Sequence, residues 1–202
     1  MHNRASAGLS LQTGELIMDA SNVSFGKSKA TGAVYIAPAG TTLPTNGTTA
    51  LANTYKNMGY ISEDGYTSST ETETQDIKDW NGRVVLRGQS SYAETHTVNF
   101  IETNIDTLKV IYGAANVTQA GNEITVKSTG AELEEHVVVI EIALTGGRVQ
   151  RIVIPRAKIV DRSGEQTYNA TSAISYPAQF AAAPDSNGNY HITYTSTVAI
   201  TA

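Results

Sequence analysis

Asn57-Met58-Gly59-Tyr60-Ile61-Ser62-Glu63-Asp64-Gly65-Tyr66 opens the stretch that decides the fold, which runs on through a Thr- and acid-rich segment to Asp79-Trp80-Asn81-Gly82. It closes on Phe100-Ile101-Glu102-Thr103-Asn104-Ile105-Asp106-Thr107-Leu108-Lys109-Val110-Ile111-Tyr112-Gly113. The pattern reads as strand, turn, long strand, turn, two strands and a short helix. From Tyr66 to Trp80 the alternation is that of a strand, yet both of its faces are polar over the first half. Such a strand cannot sit in an ordinary core; it faces water, a lumen or another polar chain. Ile77 and Trp80 mark the expected return of the same strand to the apolar interior.

The helix is expected over 103–112. Thr103 is the expected N-cap, with Asp106 three residues on, and Ile105, Leu108 and Tyr112 fall on one face. Gly113 then supplies the stop. At roughly two to three turns the helix is marginal alone, so its apolar face must dock on a sheet.

Working outward, 202 residues suit one domain, and 17 glycines with 40% hydrophobic and only 16% charged residues describe a strand-and-turn protein with a sparsely charged surface. A subunit buried among copies of itself has that composition, and so do secreted β-sandwiches. The net charge is -5 and the 14 Lys and Arg residues are scattered, which excludes a basic stripe for neutralising phosphates. With no cysteine, disulfides, thiolate metal sites and cysteine nucleophiles are excluded together. Met1-His2-Asn3-Arg4-Ala5 leads into no apolar h-region, and no apolar run approaches the ~20 residues that span a bilayer. The sequons at Asn22, Asn46, Asn116 and Asn169 then read as chance products of a Thr-rich chain. A soluble protein made in the cytosol is expected.

Residues 1–30 read as an N-terminal arm and 31–202 as one domain. A strand is expected over 33–37, followed by a long turn-rich loop over 38–57 that carries Pro38, Thr41, Pro44, Asn46 and Thr49. Further strands are expected over 84–87 and 92–101, separated by 88–91, and over 123–127. The best hairpin is 135–144 with 148–155 across Gly146-Gly147, apolar on both faces and hence the heart of the sheet. Strands at 158–161, 167–176 and 190–194, with a turn over 184–189, complete the chain. About ten strands and one helix mean a sandwich or small barrel with the helix covering one opening or edge.

Chemistry is hard to find. His2, His96, His136 and His191 lie in different segments without Glu-x-x-His or His-x-His spacing, so no metal site is expected. Gly-x-Ser-x-Gly elbows, phosphate loops and dinucleotide fingerprints are absent, so neither a cofactor nor an enzyme is expected. Glu63, Asp64, Glu71, Glu73, Asp76 and Asp79 admit three readings: a solvated strand face with turn carboxylates, an acidic strip lining a lumen, or a catalytic carboxylate pair. Between Glu63 and Trp80 the sole basic residue is Lys78, so the segment is strongly acidic.

Four motifs in order carry a resemblance: Ala37-Pro38-Ala39-Gly40-Thr41-Thr42-Leu43-Pro44, Gly59 to Gly65, Asp76 to Trp80, and Phe100 to Asn104. Together they resemble the major tail (tail tube) proteins of long-tailed bacteriophages, especially those of actinobacterial hosts. The resemblance implies a mainly β fold, a β-sandwich or half-barrel with one α-helix, whose sheets join into a continuous inner barrel on hexamerisation. Stacked rings would then carry DNA without holding it, and the protein would be made in the host cytoplasm and reside in the virion. Glu71, Glu73 and Asp76 become lumen-facing candidates. Pro38, Thr41, Pro44, Asn46 and Thr49 become inter-ring candidates, and Ile105, Leu108 and Tyr112 fix the helix over the outer side of the sheet. Implied partners are further copies of itself, a tape measure protein, and tail terminator and distal tail proteins; no membrane is implied. The alternative is a carbohydrate-binding or adhesive β-sandwich, with Tyr60, Tyr66, Tyr168, Tyr176, Tyr190 and Tyr194 as candidates for a sugar platform.

Overall fold

The computed structural model describes residues 23–29, 32–162, 166 and 168–197. Much of the expected arm, including Leu16-Ile17-Met18, and the sequon at Asn22 lie outside the described residues.

The expected central hairpin forms, as β8 (Glu135–Leu144) and β9 (Val149–Asp161). Gly146 and Gly147 between them take φ of +78° and +72°, values that glycine adopts without a Cβ penalty. Alternate residues leave opposite faces of this pair. Val138, Ile140 and Ile154 enter one apolar cluster, and Val137, Val139 and Val153 enter another. This pair is therefore buried on both sides.

The sheet grows outward from it in both directions. On the β8 side lie β1 (Gly26–Ser28) and β2 (Val34–Pro38), end to end, with β3 (Lys56–Asn57) beyond β2. Flanking β9, also end to end, are β10 (Tyr176–Ala182) and β11 (Ile192–Thr195). Beyond β10 come β5 (Val84–Phe100) and, at the edge, β4 (Ile61–Lys78). All nine strands pair antiparallel, and β6 (Val117–Ala120) with β7 (Glu123–Val126) makes a separate hairpin. The expected mainly β class with one α-helix is thus observed among the described residues, as one nine-stranded antiparallel sheet beside a two-stranded hairpin.

One face of the sheet is covered by α1 (Ile105–Tyr112) and the β6–β7 hairpin. Leu108, Val110 and Ile111 bury against Phe100, Phe180, Val98 and Ile36, with Ile105 and Tyr112 packed at the margin. Complete burial of Phe100 and Phe180 contributes about 1.5–3 kcal/mol each. Asn104, not Thr103, caps the helix: its Oδ1 accepts from the Thr107 amide at 2.8 Å. Thr103 turns away to meet the Tyr176 hydroxyl at 2.9 Å. Both residue types can cap, and this tertiary partner takes Thr103 out of the competition. Gly113 ends the helix at φ +91°.

The loop between β2 and β3 lies along the opposite face. Leu43, Leu51 and Tyr55 pack on Ala37, Val137, Val139 and Val153, and the Tyr55 hydroxyl donates to the Thr42 carbonyl at 2.8 Å. Beneath the loop the buried Arg151 donates to the carbonyls of Asn46 at 2.8 Å and Thr49 at 2.9 Å, while its guanidinium holds Glu141. A segment rich in turn residues is thereby pinned to its own subunit.

Several expectations change. Residues 84–100 form one strand rather than two, because 88–91 is absorbed as a bulge: Glu73 pairs with Ser91 and Thr74 with Gln89, leaving Ser90 unmatched. Likewise 158–161 continues β9 across a register shift near Pro155. Residues 168–175 form no strand; Asn169 Oδ1 accepts from the amides of Thr171 and Ser172, and the strand starts only at Tyr176. The short strand β6 was not expected at all. The largest correction concerns Ile77 and Trp80, which do not re-enter the core; Trp80 is fully exposed. Asp79 Oδ1 accepts from the amides of Asn81 at 2.9 Å and Arg83 at 2.8 Å, making a tight turn that holds Trp80 in solvent.

Candidate functional site

Beyond Thr95 strand β5 loses its β10 neighbour, and the β4–β5 hairpin continues alone to the Asp79 turn. From Thr70, opposite Glu94, to Lys78 it projects about 26 Å at ~3.3 Å per residue. Its end is apolar: Ile77, Trp80, Val84, Val85 and Leu86 are all exposed. Apolar residues clustered at the end of a projecting hairpin are what a docking element carries.

Strand pleating sorts the acids predicted from sequence. Glu71 and Glu73 share one face, and the Ser91 hydroxyl donates to Glu73 at 3.1 Å. Asp76 leaves the other face, where Arg87 grips it through Nε at 2.6 Å and Nη2 at 3.0 Å. That guanidinium holds the Asp76 carboxyl below its ordinary range, and Asp76 raises Arg87 in return. Only two of the three acids therefore share a face, and the third is neutralised from the return strand. Reading β4 without its partner could not show this.

The Glu71 and Glu73 face belongs to an uncovered part of the sheet. Val98, Phe100, Ala178 and Phe180 point toward α1, so their alternates Thr97, Asn99 and Gln179 point the opposite way, Thr97 exposed and the other two half-buried. With Thr67, Ser69, Glu71, Glu73 and Thr95 they form a hydroxyl, amide and carboxylate surface. The cations that border it on β9 are engaged: Arg156 binds Glu135 at 3.0 and 2.9 Å, and Lys158 contacts Glu132. Both carboxyls are held low, Glu135 by the hydrogen bond from Arg156 and Glu132 by that from Lys158. The surface thus presents no unpaired positive charge from these two residues.

Among the described residues, the outer edge of β4 has no partner strand along its 18 residues. An exposed edge of that length is a template for pairing with another chain, and monomeric proteins blunt or cover such edges. The inter-ring candidates sit elsewhere. Pro38, Asn46 and Thr49 are exposed and Thr41 and Pro44 half-buried in the loop over the other sheet face, with two of their carbonyls engaged by Arg151. Ile105, Leu108 and Tyr112 lie together on the core side of α1.

The tyrosines do not make a sugar platform. Tyr176 is buried, Tyr66 stacks on His96, Tyr190 meets Tyr92 edge-on, and Tyr194 packs under the loop, leaving Tyr60 and Tyr168 exposed in separate places. The adhesive-module alternative loses its support here. Histidines scattered in sequence are partly gathered: His96 and His191 meet Glu94 at the base of the hairpin, while His136 stays apart on β8. His2 lies outside the described residues. Sequence did hold one signal for this cluster, the Glu94-x-His96 spacing that puts both side chains on one strand face.

No curated protein matches the chain. Its polar uncovered sheet, unpaired long edge and apolar hairpin end instead agree with the family profile described as phage tail tube protein, which matches residues 21–197, and the chain belongs to that family of structural virion proteins.

Proposed function

We propose that this protein is the tail tube subunit of a long-tailed phage of an actinobacterial host, and that its copies close into hexameric rings through the edge of β4. The observation that carries this reading is the 18-residue edge strand that has no partner among the described residues, beside a polar sheet face. Each neighbouring copy supplies the missing strand partner, so the sheets run on from subunit to subunit as one inner barrel. Glu71 and Glu73 then line the channel. Duplex DNA carries a phosphate charge every ~1.7 Å, so a wall of carboxylates and hydroxyls repels it and keeps a water layer between. Asp76, already paired with Arg87, adds little to that repulsion.

Stacking of rings falls to the exposed end of the β4–β5 hairpin and to the outer surface of the 38–57 loop, with Pro38, Thr41, Pro44, Asn46 and Thr49 at the contact. The N-terminal arm spans to an adjacent ring. A tape measure protein fills the channel before ejection, and terminator and distal tail proteins close the two ends. Negative-stain microscopy of the purified protein tests the assembly. Six-fold rings or hollow tubes are expected; a protein that stays monomeric at high concentration and with a tail initiator present contradicts the reading.

A further inference from the structure

We propose that Glu94, His96 and His191 bind one divalent transition-metal ion of the zinc type, clamping the base of the β4–β5 hairpin to the segment that enters β11. Glu94 and His96 are two residues apart on β5 and so share a face, and each side chain is 1% exposed. His191 comes from the other side, immediately before Ile192, with its side chain 38% exposed. Glu94 Oε1 lies 3.0 Å from His96 Nε2 and in close contact with His191 Nδ1, and the three donor atoms all lie within 4.8 Å of one another. Around a tetrahedral ion with bonds of about 2.0–2.2 Å, donors sit about 3.3–3.5 Å apart, so small side-chain rotations open the space an ion needs.

The state of the buried atoms is the second, independent observation. Glu94 Oε1 and His96 Nε2 are both shut off from solvent and meet each other at 3.0 Å, with His191 Nδ1 against the same oxygen, so three donor atoms converge on one buried point. A buried carboxylate is costly unless its charge is met, and two imidazole nitrogens gathered on the same buried oxygen mark a place where a divalent cation would meet it.

The surroundings supply the supports that metal ligands use. The Tyr66 hydroxyl sits 2.6 Å from His96 Nδ1, and the Tyr92 hydroxyl donates to the second oxygen of Glu94 at 3.1 Å. With Nδ1–H given to the Tyr66 oxygen, His96 presents the lone pair of Nε2 to the ion. Two imidazoles and one carboxylate suit Zn²⁺ or Co²⁺, whereas Mg²⁺ and Ca²⁺ prefer an all-oxygen shell. A fourth position faces the shallow hollow beside Gln89 and Tyr190, where water enters. This site stands whether or not the protein forms tubes, because it depends on one subunit alone.

Isothermal titration of the full chain, stripped of metal, with zinc chloride is the test, alongside the visible spectrum of the cobalt-loaded protein. One equivalent is expected to bind at micromolar or lower concentration and to raise the melting temperature. His191→Ala, a change at a side chain 38% exposed, should weaken binding at least about 100-fold while the metal-free protein still unfolds cooperatively, since even indirect supports of a metal site are worth 10–100-fold. His136→Ala and His2→Ala should bind as the parent does. Absence of stoichiometric binding, or equal binding by His191→Ala, overturns the proposal.

Discussion

Arg151 is 2% exposed and does two jobs: it neutralises Glu141 and ties down the carbonyls of Asn46 and Thr49. Arg151→Met leaves Glu141 buried with Lys29 alone and should destabilise the fold by about 3–5 kcal/mol in urea denaturation. Adding Glu141→Met should recover most of that loss, because no fully buried charge is then left stranded and the released Lys29 is part-exposed and can reach water. Amide exchange across 38–57 should stay fast in both variants, since the carbonyls have lost their donor. Gly59 is a second sensitive position: at φ +79° a Cβ would come within 1.9 Å of the Glu102 carboxylate, which accepts from the Tyr60 amide at 3.0 Å. Gly59→Ala should therefore cost about 1–3 kcal/mol, through backbone strain and the displaced carboxylate. The turn role of Gly59 was legible from its neighbours in sequence. Arg151 was not: a basic residue in an apolar run carries no mark of whether its charge is met; Glu141 faces it only once the hairpin register is known, and the two carbonyls it ties down lie about a hundred positions away.

Among elements, the β4–β5 hairpin separates folding from assembly most cleanly. Its outer part touches no core residue, so replacing 74–90 by Asn-Gly, a two-residue hairpin turn, should leave the melting temperature within a few degrees and abolish ring or tube formation. Trp80 is the sole tryptophan and lies at the exposed turn, which makes it a native reporter. Its emission should be that of a solvated indole in the monomer and should shift to the blue as subunits assemble. The helix and the β8–β9 pair were readable from sequence because their patterns match their burial: period near 3.6 in one, apolar on both faces in the other. The hairpin end was misread for the converse reason. Alternation and apolar content say which face a residue takes, and they are silent on whether any layer covers it.

For the molecule as a whole, the two sheet faces are treated differently. One is covered by α1 and β6–β7, the other only in part by the 38–57 loop, and the remainder is a polar wall ending at an unpaired edge. The polar wall could be anticipated from Glu71 and Glu73, but not the pairing of Asp76 with Arg87, which needs the register between strands. Converting the wall should slow passage rather than assembly: phage carrying Glu71→Lys with Glu73→Lys should form tubes of normal length yet deliver DNA more slowly, as measured by the kinetics of genome ejection, and more so at low salt. Electron cryo-microscopy of the assembled protein tests the central claim most directly. The account predicts continuous strand pairing from the outer edge of β4 to the neighbouring subunit, with Glu71 and Glu73 facing the channel; tubes in which that edge stays unpaired, or in which those carboxylates face outward, would contradict it.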